Sequence, residues 1–273
     1  MTLLIEAGGT KTDVFYTTDQ LHTHRFETLH PSGTEQGWQK TIDAIVSHVP
    51  FSVEQVLYYG AGTEVTLFVE NVTKMLERAF PNAQVLMHSD LALVGHAMLG
   101  LEGDGCVGIL GTGSNFGMME SGILTQPFPS LGYLMGDEGS GVDIAKRFMQ
   151  TWTRSEFSSN LEAVLMDKLT DPKYQISRIY GGGKPNTHLA EIVQQLPWWD
   201  YQELQEIVLA SFRAYFSSFD GVKTSNRVLC LTGGIANHFE PLLQQVASDF
   251  NWKIQIADSL APLFFKAARK NQS

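Results

Sequence analysis

The sequence predicts an α/β protein made of two related domains. Many of its short apolar runs are continuous rather than alternating, as expected for strands that are buried on both faces of a sheet. Helical patterns lie between these runs, and strands that alternate with helices are typical of a parallel or mixed sheet. A strand followed by a glycine turn and a hairpin occurs twice, once in each half of the chain, which indicates an internal repeat.

The individual elements follow from the apolar pattern. Strands are expected in the short apolar runs 3–5, 14–17, 55–59, 84–88, 105–110, 116–119, 227–231 and 253–256. Two further segments, 21–26 and 123–125, would complete a hairpin after each glycine turn. Helices are expected in the segments 35–48, 64–79, 90–100, 138–150, 155–169, 187–196, 200–219, 234–249 and 259–270. The Gly-rich segment 181–185 is expected to be a loop.

The two domains are expected to span residues 1–105 and 106–273. The stretch 100–105, with three glycines and two acidic residues, separates a predicted helix from the next strand. The last helix is expected to pack back on the first domain.

Composition excludes several classes of function. A hydrophobic fraction of 43% and a charged fraction of 18% are typical of a folded globular protein. The net charge is −10 and no lysine/arginine run is present, so nothing favours binding to nucleic acid or to anionic lipid. Cys106 and Cys230 lie in apolar runs without zinc-like spacing, as expected for core residues in a reducing compartment. With neither a signal-peptide pattern nor a membrane-length apolar run, a cytoplasmic protein is expected.

The first glycine turn, at 8–12, follows the strand 3–5. Glycine N–H groups and threonine hydroxyls can hold phosphate oxygens, and Glu6 at the strand end could hold a hydrated Mg²⁺. An ordinary Gly-Gly hairpin turn has the same pattern, and on its own the motif favours that interpretation.

Two more glycine motifs follow strands in the second half. The turn at 111–114 comes after the strand 105–110 and precedes a hairpin, and together with the first turn it predicts an ATP phosphate clamp made by two domains. The segment 232–236 opens a helix, where small residues let a base or ribose lie on the backbone. The alternative is that glycine is needed there for close helix–strand packing. When the motif is taken alone, this alternative is favoured.

Acidic residues near strand and helix ends are candidates for chemistry. Asp90 follows the strand 84–88, where ligands bind in open α/β sheets, and could take a proton from an attacking hydroxyl. A simple helix N-cap is the alternative, and local sequence alone favours it. Asp137 and Glu138 lie between glycines at a helix start, so Asp137 could bind substrate hydroxyls. We favour a functional role there, since a helix cap does not require a glycine-flanked acidic pair.

Two common nucleotide sites lack support. The sequence contains no GxxxxGK[ST] motif, so a P-loop is excluded. It also lacks a strand–GxGxxG–helix unit followed by an acidic residue, which argues against a Rossmann dinucleotide site.

Together these motifs resemble the sugar kinase/Hsp70/actin ATPase superfamily. More narrowly, they are similar to the BadF/BadG/BcrA/BcrD ATPase family in its N-acetylglucosamine kinase branch. The segments that carry the resemblance are 59–63, 110–115, 131–141, 184–190 and 232–236.

The resemblance implies a fold and an activity. The fold would be two ribonuclease-H-like (actin-like ATPase) domains with ATP bound in the cleft between them. The activity would be ATP-dependent phosphorylation of an amino sugar, N-acetylglucosamine or a related N-acetylhexosamine, with Mg²⁺ as cofactor. The partner would be the small-molecule sugar, with no nucleic acid and no membrane, and the resemblance also suggests a homodimer.

The resemblance further implies roles for individual residues. Asp90 would be the catalytic base, and Glu6 would contact Mg²⁺ through water. The ATP-binding residues would be Gly8, Gly9, Thr10, Lys11, Thr12, Gly111, Thr112, Gly113, Ser114, Gly233 and Gly234. The sugar-binding residues would be Ala61, Gly62, Asp90, Thr112, Gly113 and Asp137.

Two positions depart from the family pattern and leave alternatives open. The first motif has Glu6-Ala7-Gly8 where the family usually has Asp-Gly-Gly or Asp-Ser-Gly, and His30 precedes Pro31 where the family has a sugar-contacting Asn. A nucleotide-binding regulator without kinase activity is therefore an alternative. An activator of a dehydratase with a cysteine-ligated iron–sulfur cluster is disfavoured, because both cysteines lie in predicted core strands.

Overall fold

A computed structural model describes residues 1–9, 11–49, 52–224 and 226–270 of the chain. Thr10, which the family resemblance assigns to the ATP site, lies outside the described residues. No helix in these ranges combines the length and the apolar character that a membrane span requires.

The first sheet contains five strands in the order β3-β2-β1-β4-β5. Its strands are β1 Thr2–Ala7, β2 Thr12–Thr17, β3 Leu21–Phe26, β4 Gln55–Gly60 and β5 Gln84–Ser89. β1, β4 and β5 run parallel, whereas β2 and β3 are antiparallel additions on one side. Ala7 pairs with Gly60, which pairs with Ser89, so the carboxyl ends of the three parallel strands meet at one edge.

The second sheet repeats this arrangement in the order β10-β9-β6-β7-β8. Its strands are β6 Gly105–Leu110, β7 Ser114–Glu120, β8 Ile123–Thr125, β9 Val228–Thr232 and β10 Lys253–Ala257. β6, β9 and β10 run parallel, and β7 and β8 lie on the other side of β6. In both sheets the first strand therefore lies between a following strand pair and two later parallel strands. The predicted internal repeat and the α/β class are confirmed.

Helices connect the strands as the apolar pattern predicts, with three differences. The helices are α1 Glu35–His48, α2 Thr66–Ala79, α3 Asp90–Met98, α4 Gly132–Met135, α5 Gly141–Thr153, α6 Ser159–Leu169, α7 Pro172–Gly181, α8 Pro185–Gln195, α9 Gln202–Ser218, α10 Gly234–His238, α11 Glu240–Asp249 and α12 Ala261–Lys270.

The predicted helix 234–249 is wrong as a single element. It is divided at Phe239, and Pro241 lies in the first turn of α11, where the absence of an N–H is tolerated but continuation of a preceding helix is not. Two helices were not predicted from the sequence. One is the short α4, and the other is α7, although Asp171 caps it through Tyr174 N–H and Pro172 begins it.

The chain divides into two compact units. Unit 1 contains Met1–Asp104, Met119–Leu124 and the segment from Ser259, which includes α12, and unit 2 contains Gly105–Met118 and Thr125–Asp258. Each unit has its own apolar core around its sheet. Within unit 1, α12 packs against α3. The domain limits drawn from the sequence stay a prediction, because compactness does not show that either unit folds independently.

Candidate functional site

The carboxyl edge of the first sheet collects the predicted residues of unit 1. The strand β1 ends at Ala7, β4 at Gly60 and β5 at Ser89, so the first glycine turn, Ala61–Gly62 and Asp90 all begin at neighbouring strand ends. The N–H of Ala61 also donates to the carbonyl of Ala7 at 3.3 Å. This is the edge at which open α/β sheets bind ligands.

The first glycine turn is closed by its own backbone. The N–H of Gly8 donates to the carbonyl of Lys11 at 2.9 Å, and a Cβ added at Gly9 would find no atom within 4 Å. Thr12 is fully buried, and its hydroxyl accepts the N–H of Leu29 at 2.8 Å. The Thr12 side chain therefore fixes a neighbouring segment, whereas Gly8, Gly9 and Lys11 are exposed.

Asp90 is the first residue of α3, and Ser89 caps the helix. The helix cap is Ser89, whose hydroxyl accepts the N–H of Ala92 at 3.3 Å, whereas the Asp90 carboxylate accepts the N–H of Leu91 at 2.8 Å. The simple N-cap interpretation of Asp90 is therefore wrong. Burial raises the pKa of Asp90, the nearby Glu64 raises it further, and the Leu91 N–H opposes the shift. A partly buried carboxylate with a raised pKa is suited to accept a proton.

Glu6 lies among other carboxylates. Burial raises its pKa first, the charges of Asp13 and Asp90 add to the shift, and Lys11 opposes it. A divalent cation beside Glu6 would offset this repulsion, so the residues present fit a Mg²⁺ held through water. In the described ranges no three His, Cys, Asp or Glu side chains converge to hold a metal directly.

The hydrogen bonds of His30 indicate which ring nitrogen carries the proton. Its Nδ1 accepts the backbone N–H of Ser32 at 3.2 Å, and a backbone N–H can only donate, so the neutral ring carries its proton on Nε2. Burial lowers the pKa of His30, although Glu64 opposes this shift. The adjacent Pro31 packs so closely on Gly62 that any Cβ at Gly62 would overlap its ring.

The second glycine turn lies on the N-terminus of α5. The carbonyls of Gly111 and Thr112 accept the N–H groups of Gly141 at 2.9 Å and Val142 at 3.2 Å. The turn itself is closed by the N–H of Gly111, which donates to the carbonyl of Gly113 at 2.9 Å. Within the described part of the chain, the N–H groups of Thr112 and Gly113 have no acceptor. They are therefore open to an anionic ligand.

Asp137 lies beside this turn. A Cβ added at Gly113 would be 2.8 Å from the Asp137 Oδ2, and the Asp137 carboxylate accepts the N–H of Ser114. Burial raises the pKa of Asp137, whereas Ser114 and Lys146 lower it. Asp137 also has a φ of 62°, which is uncommon for a residue with a Cβ.

Gly233 brings the third glycine motif against the second. Its φ is 116°, and a Cβ there would overlap the carbonyl of Leu110, the last residue of β6. Gly234, the next residue, has no atom within 4 Å of its Cβ position. Close packing therefore explains Gly233, whereas Gly234 is open.

The structure thus gathers the predicted residues into two sets. Unit 1 holds Glu6, Gly8, Gly9, Lys11, Thr12, Ala61, Gly62 and Asp90, and unit 2 holds Gly111, Thr112, Gly113, Ser114, Asp137, Gly233 and Gly234.

Three residues that shape these sets were not predicted from the sequence. Glu64 acts on the pKa of Asp90 and carries no motif. Ser140 caps α5 through the N–H of Asp143, a pattern that the residue types at a helix start could have indicated. Ser211 contacts the acidic turn from a helix far along the chain, and no local pattern indicates it.

Comparison with known proteins supports the fold. No protein-family model and no curated protein matches the sequence. The structure is similar to that of a proposed N-acetylglucosamine kinase from Porphyromonas gingivalis, with a TM-score of 0.82 and 20% identity over 100% of both chains.

Two further solved structures are also similar. A proposed N-acetylglucosamine kinase from Chromobacterium violaceum matches with a TM-score of 0.70 and 17% identity, over 97% of this chain and 98% of that one. A ROK-family glucokinase from Streptomyces griseus, in complex with glucose and AMPPNP, matches with a TM-score of 0.55 and 16% identity, over 100% and 99%. The chain has the actin-like ATPase fold of sugar kinases, and membership of the BadF/BadG family stays a prediction.

Proposed function

We propose that the protein is an ATP-dependent sugar kinase whose substrate is N-acetylglucosamine or a related N-acetylhexosamine. The fold that it shares with sugar kinases supports the reaction class, and two of the similar structures are proposed N-acetylglucosamine kinases. The fold alone does not select a function, so the proposal depends on the site residues.

The observation that carries the proposal is the environment of Asp90, a partly buried carboxylate at the carboxyl edge of the first sheet. Ser89 provides the helix cap, so α3 does not need the Asp90 carboxylate for that purpose. Burial and Glu64 raise its pKa, which makes it a stronger base than an ordinary aspartate. It lies at the ligand-binding edge of the sheet.

The proposed step is direct transfer of the γ-phosphoryl group. Asp90 accepts the proton of the attacking sugar hydroxyl, whose oxygen forms a bond to the γ-phosphorus. The bond from that phosphorus to the β,γ-bridging oxygen breaks, and ADP leaves with the bonding electrons.

Backbone groups would carry the negative charge of the phosphates. The open N–H groups of Thr112 and Gly113, and the exposed turn at Gly8 and Gly9, are of the kind that hold phosphate oxygens. Gly234, open at the start of α10, would lie against the adenosine. Glu6 would hold Mg²⁺ through water, and the bound ion supplies charge neutralisation at the phosphates.

The sugar would be held by side chains beside these turns. Asp137 would accept hydrogen bonds from sugar hydroxyls, as Asp90 does from the reacting one. The Nε2–H of His30 is a donor close to Glu64, at the position where the family has a sugar-contacting Asn. A donor there can hydrogen-bond an oxygen atom of the sugar.

The test is ATP consumption with Mg²⁺ across N-acetylglucosamine, N-acetylmannosamine, N-acetylmuramic acid, glucosamine and glucose. One sugar should stimulate turnover strongly, and Asp90→Asn should lower kcat by about 10²- to 10⁴-fold because it removes the base. Asp43→Asn is the matched control, since Asp43 is exposed and its carboxylate accepts a hydrogen bond from Gln39, at 2.8 Å.

The same experiment distinguishes the kinase from the alternative, a nucleotide-binding regulator without kinase activity. Bound ATP without stimulation by any sugar, and an Asp90→Asn variant that turns over ATP like the parent protein, would contradict the kinase and favour a nucleotide-binding regulator.

A further inference from the structure

A buried polar cluster lies under the acidic turn of unit 2. The Ser211 hydroxyl on α9 donates to the Asp143 Oδ2 at 2.6 Å and accepts the N–H of Gly139 at 3.1 Å. The same Asp143 oxygen also accepts from Gly139 N–H at 3.4 Å and from Arg147 Nε at 2.9 Å. Ser211 is completely buried and Asp143 is 6% exposed. The cluster therefore fixes the backbone of the turn two residues after Asp137.

A second contact from the same helix reaches the other loop. Tyr215 follows Ser211 by one helical turn, so both side chains lie on the same face of α9. Its hydroxyl donates to the carbonyl of Asn115 at 3.1 Å, immediately after the second glycine turn. A Cβ at Gly139 would be 2.8 Å from the Tyr215 Cβ, so the acidic turn lies directly on this helix.

The turn needs such support because its backbone is unusual. Asp137 has a φ of 62°, a conformation that persists in a non-glycine residue only when its surroundings hold it. Its carbonyl is held by the N–H of Ser140 at 3.1 Å, and the Gly139 N–H is held by the cluster. A buried hydroxyl in the middle of a helix is otherwise unfavourable, so the Ser211 bonds are what stabilise it there.

We propose that Ser211 and Tyr215 are positioning residues for the site of unit 2. Ser211 sets the Asp137 carboxylate toward the sugar, and Tyr215 sets the second glycine turn toward the phosphates. The inference rests on the proposed kinase function and adds to it two buried residues of α9. The acidic turn and the glycine turn are held in one arrangement because both are tied to the same face of α9.

The kinetic test is Ser211→Ala, with Ser218→Ala as the matched control. Ser218 lies on the same helix and is exposed, and its hydroxyl donates to the carbonyl of Tyr215 at 2.7 Å. Ser211→Ala should raise the KM for the sugar roughly tenfold to a hundredfold, with a smaller change in the KM for ATP, because a displaced binding group weakens sugar orientation. Tyr215→Phe should have the opposite pattern, with a larger rise in the KM for ATP than in the KM for the sugar.

A second readout does not depend on activity. Amide exchange at Gly139, measured by NMR in the full chain, should be at least about tenfold faster in Ser211→Ala and unchanged in Ser218→Ala. If no sugar stimulates ATP turnover by the parent protein, the proposed kinase function is wrong. Amide exchange at Gly139 would still test whether Ser211 holds the acidic turn.

Two outcomes would overturn the inference. Unchanged exchange at Gly139 in Ser211→Ala would show that the hydroxyl does not hold the turn. Faster exchange with an unchanged KM for the sugar would show that it holds the turn without positioning the substrate. If Ser211→Ala does not fold, Tyr215→Phe decides, since it removes a single oxygen atom, and an unchanged KM for ATP would then contradict the proposal.

Discussion

The two glycine turns follow equivalent strands, β1 and β6, but are held in different ways. The first turn is closed by its own backbone, through Gly8 and Lys11, and Gly9 has no atom within 4 Å of its Cβ position. The second is also closed by its own backbone, through Gly111 and Gly113, but tertiary contacts enclose it in addition. Its carbonyls accept from the start of α5, Asp137 lies against Gly113, and Gly233 packs on the strand that leads into it.

This difference changes what a substitution means in each turn. Packing does not require glycine at position 9, so an effect of a side chain there would report on a ligand rather than on the fold. Around the second turn, packing requires glycine at position 233 but not at 113, so a comparison of neighbouring variants separates packing from function. The same sequence pattern therefore has different structural roles in the two units.

The largest expected effect is on the stability of unit 2. Gly233→Ala places a Cβ against the carbonyl of Leu110 at a φ of 116°, so it should lower the free energy of unfolding by about 3 kcal/mol. Gly234→Ala, one residue on, should change it by less than about 0.5 kcal/mol, because its Cβ position is open. Urea unfolding of both variants measures the difference. Equal stabilities would mean that the backbone at Gly233 relaxes freely.

The next effect concerns substrate binding without loss of stability. Gly113→Ala meets only the Asp137 carboxylate, at 2.8 Å, and a side-chain end can move aside. The variant should therefore stay folded while the KM for the sugar rises roughly tenfold to a hundredfold, because Asp137 is displaced. Gly9→Ala in unit 1 is the paired variant and should act on the KM for ATP, since its backbone would approach phosphate. A Gly113→Ala protein with normal sugar KM would remove Asp137 from the sugar site.

The smallest expected effect is on the pH dependence of kcat/KM. Two variants compare the roles of Asp90 in unit 1 and Asp137 in unit 2. Asp90 must be ionised to act as a base, so kcat/KM should fall as pH decreases through its raised pKa. Glu64→Gln removes a charge that raises this pKa, and the acid limb should move to lower pH. Glu138→Gln lowers the pKa of Asp137 instead and should leave the limb in place. A limb that moves with Glu138 would assign the titration to Asp137.

Local patterns predicted most of the elements. The helix α1 (Glu35–His48) and the strand β3 (Leu21–Phe26) have the bounds that apolar spacing and hairpin length indicate. The glycine turns, the strand ends and the repeated strand–turn–hairpin unit follow from the same kind of pattern. Such features depend on residues within a few positions of one another, so the sequence contains the whole of the physical cause.

The sequence by itself therefore determined the α/β class, the repeat and the candidate residues of both turns. Only the tertiary structure decided how those residues are used. Ser89 and Asp90 are both residue types that favour helix caps. In the fold Ser89 caps α3, and Asp90 is partly buried close to Glu64. Ser211 meets Gly139 from 72 residues away. Contacts of this kind depend on how helices and sheets pack, and packing follows from the sum of many distant apolar contacts rather than from any local pattern.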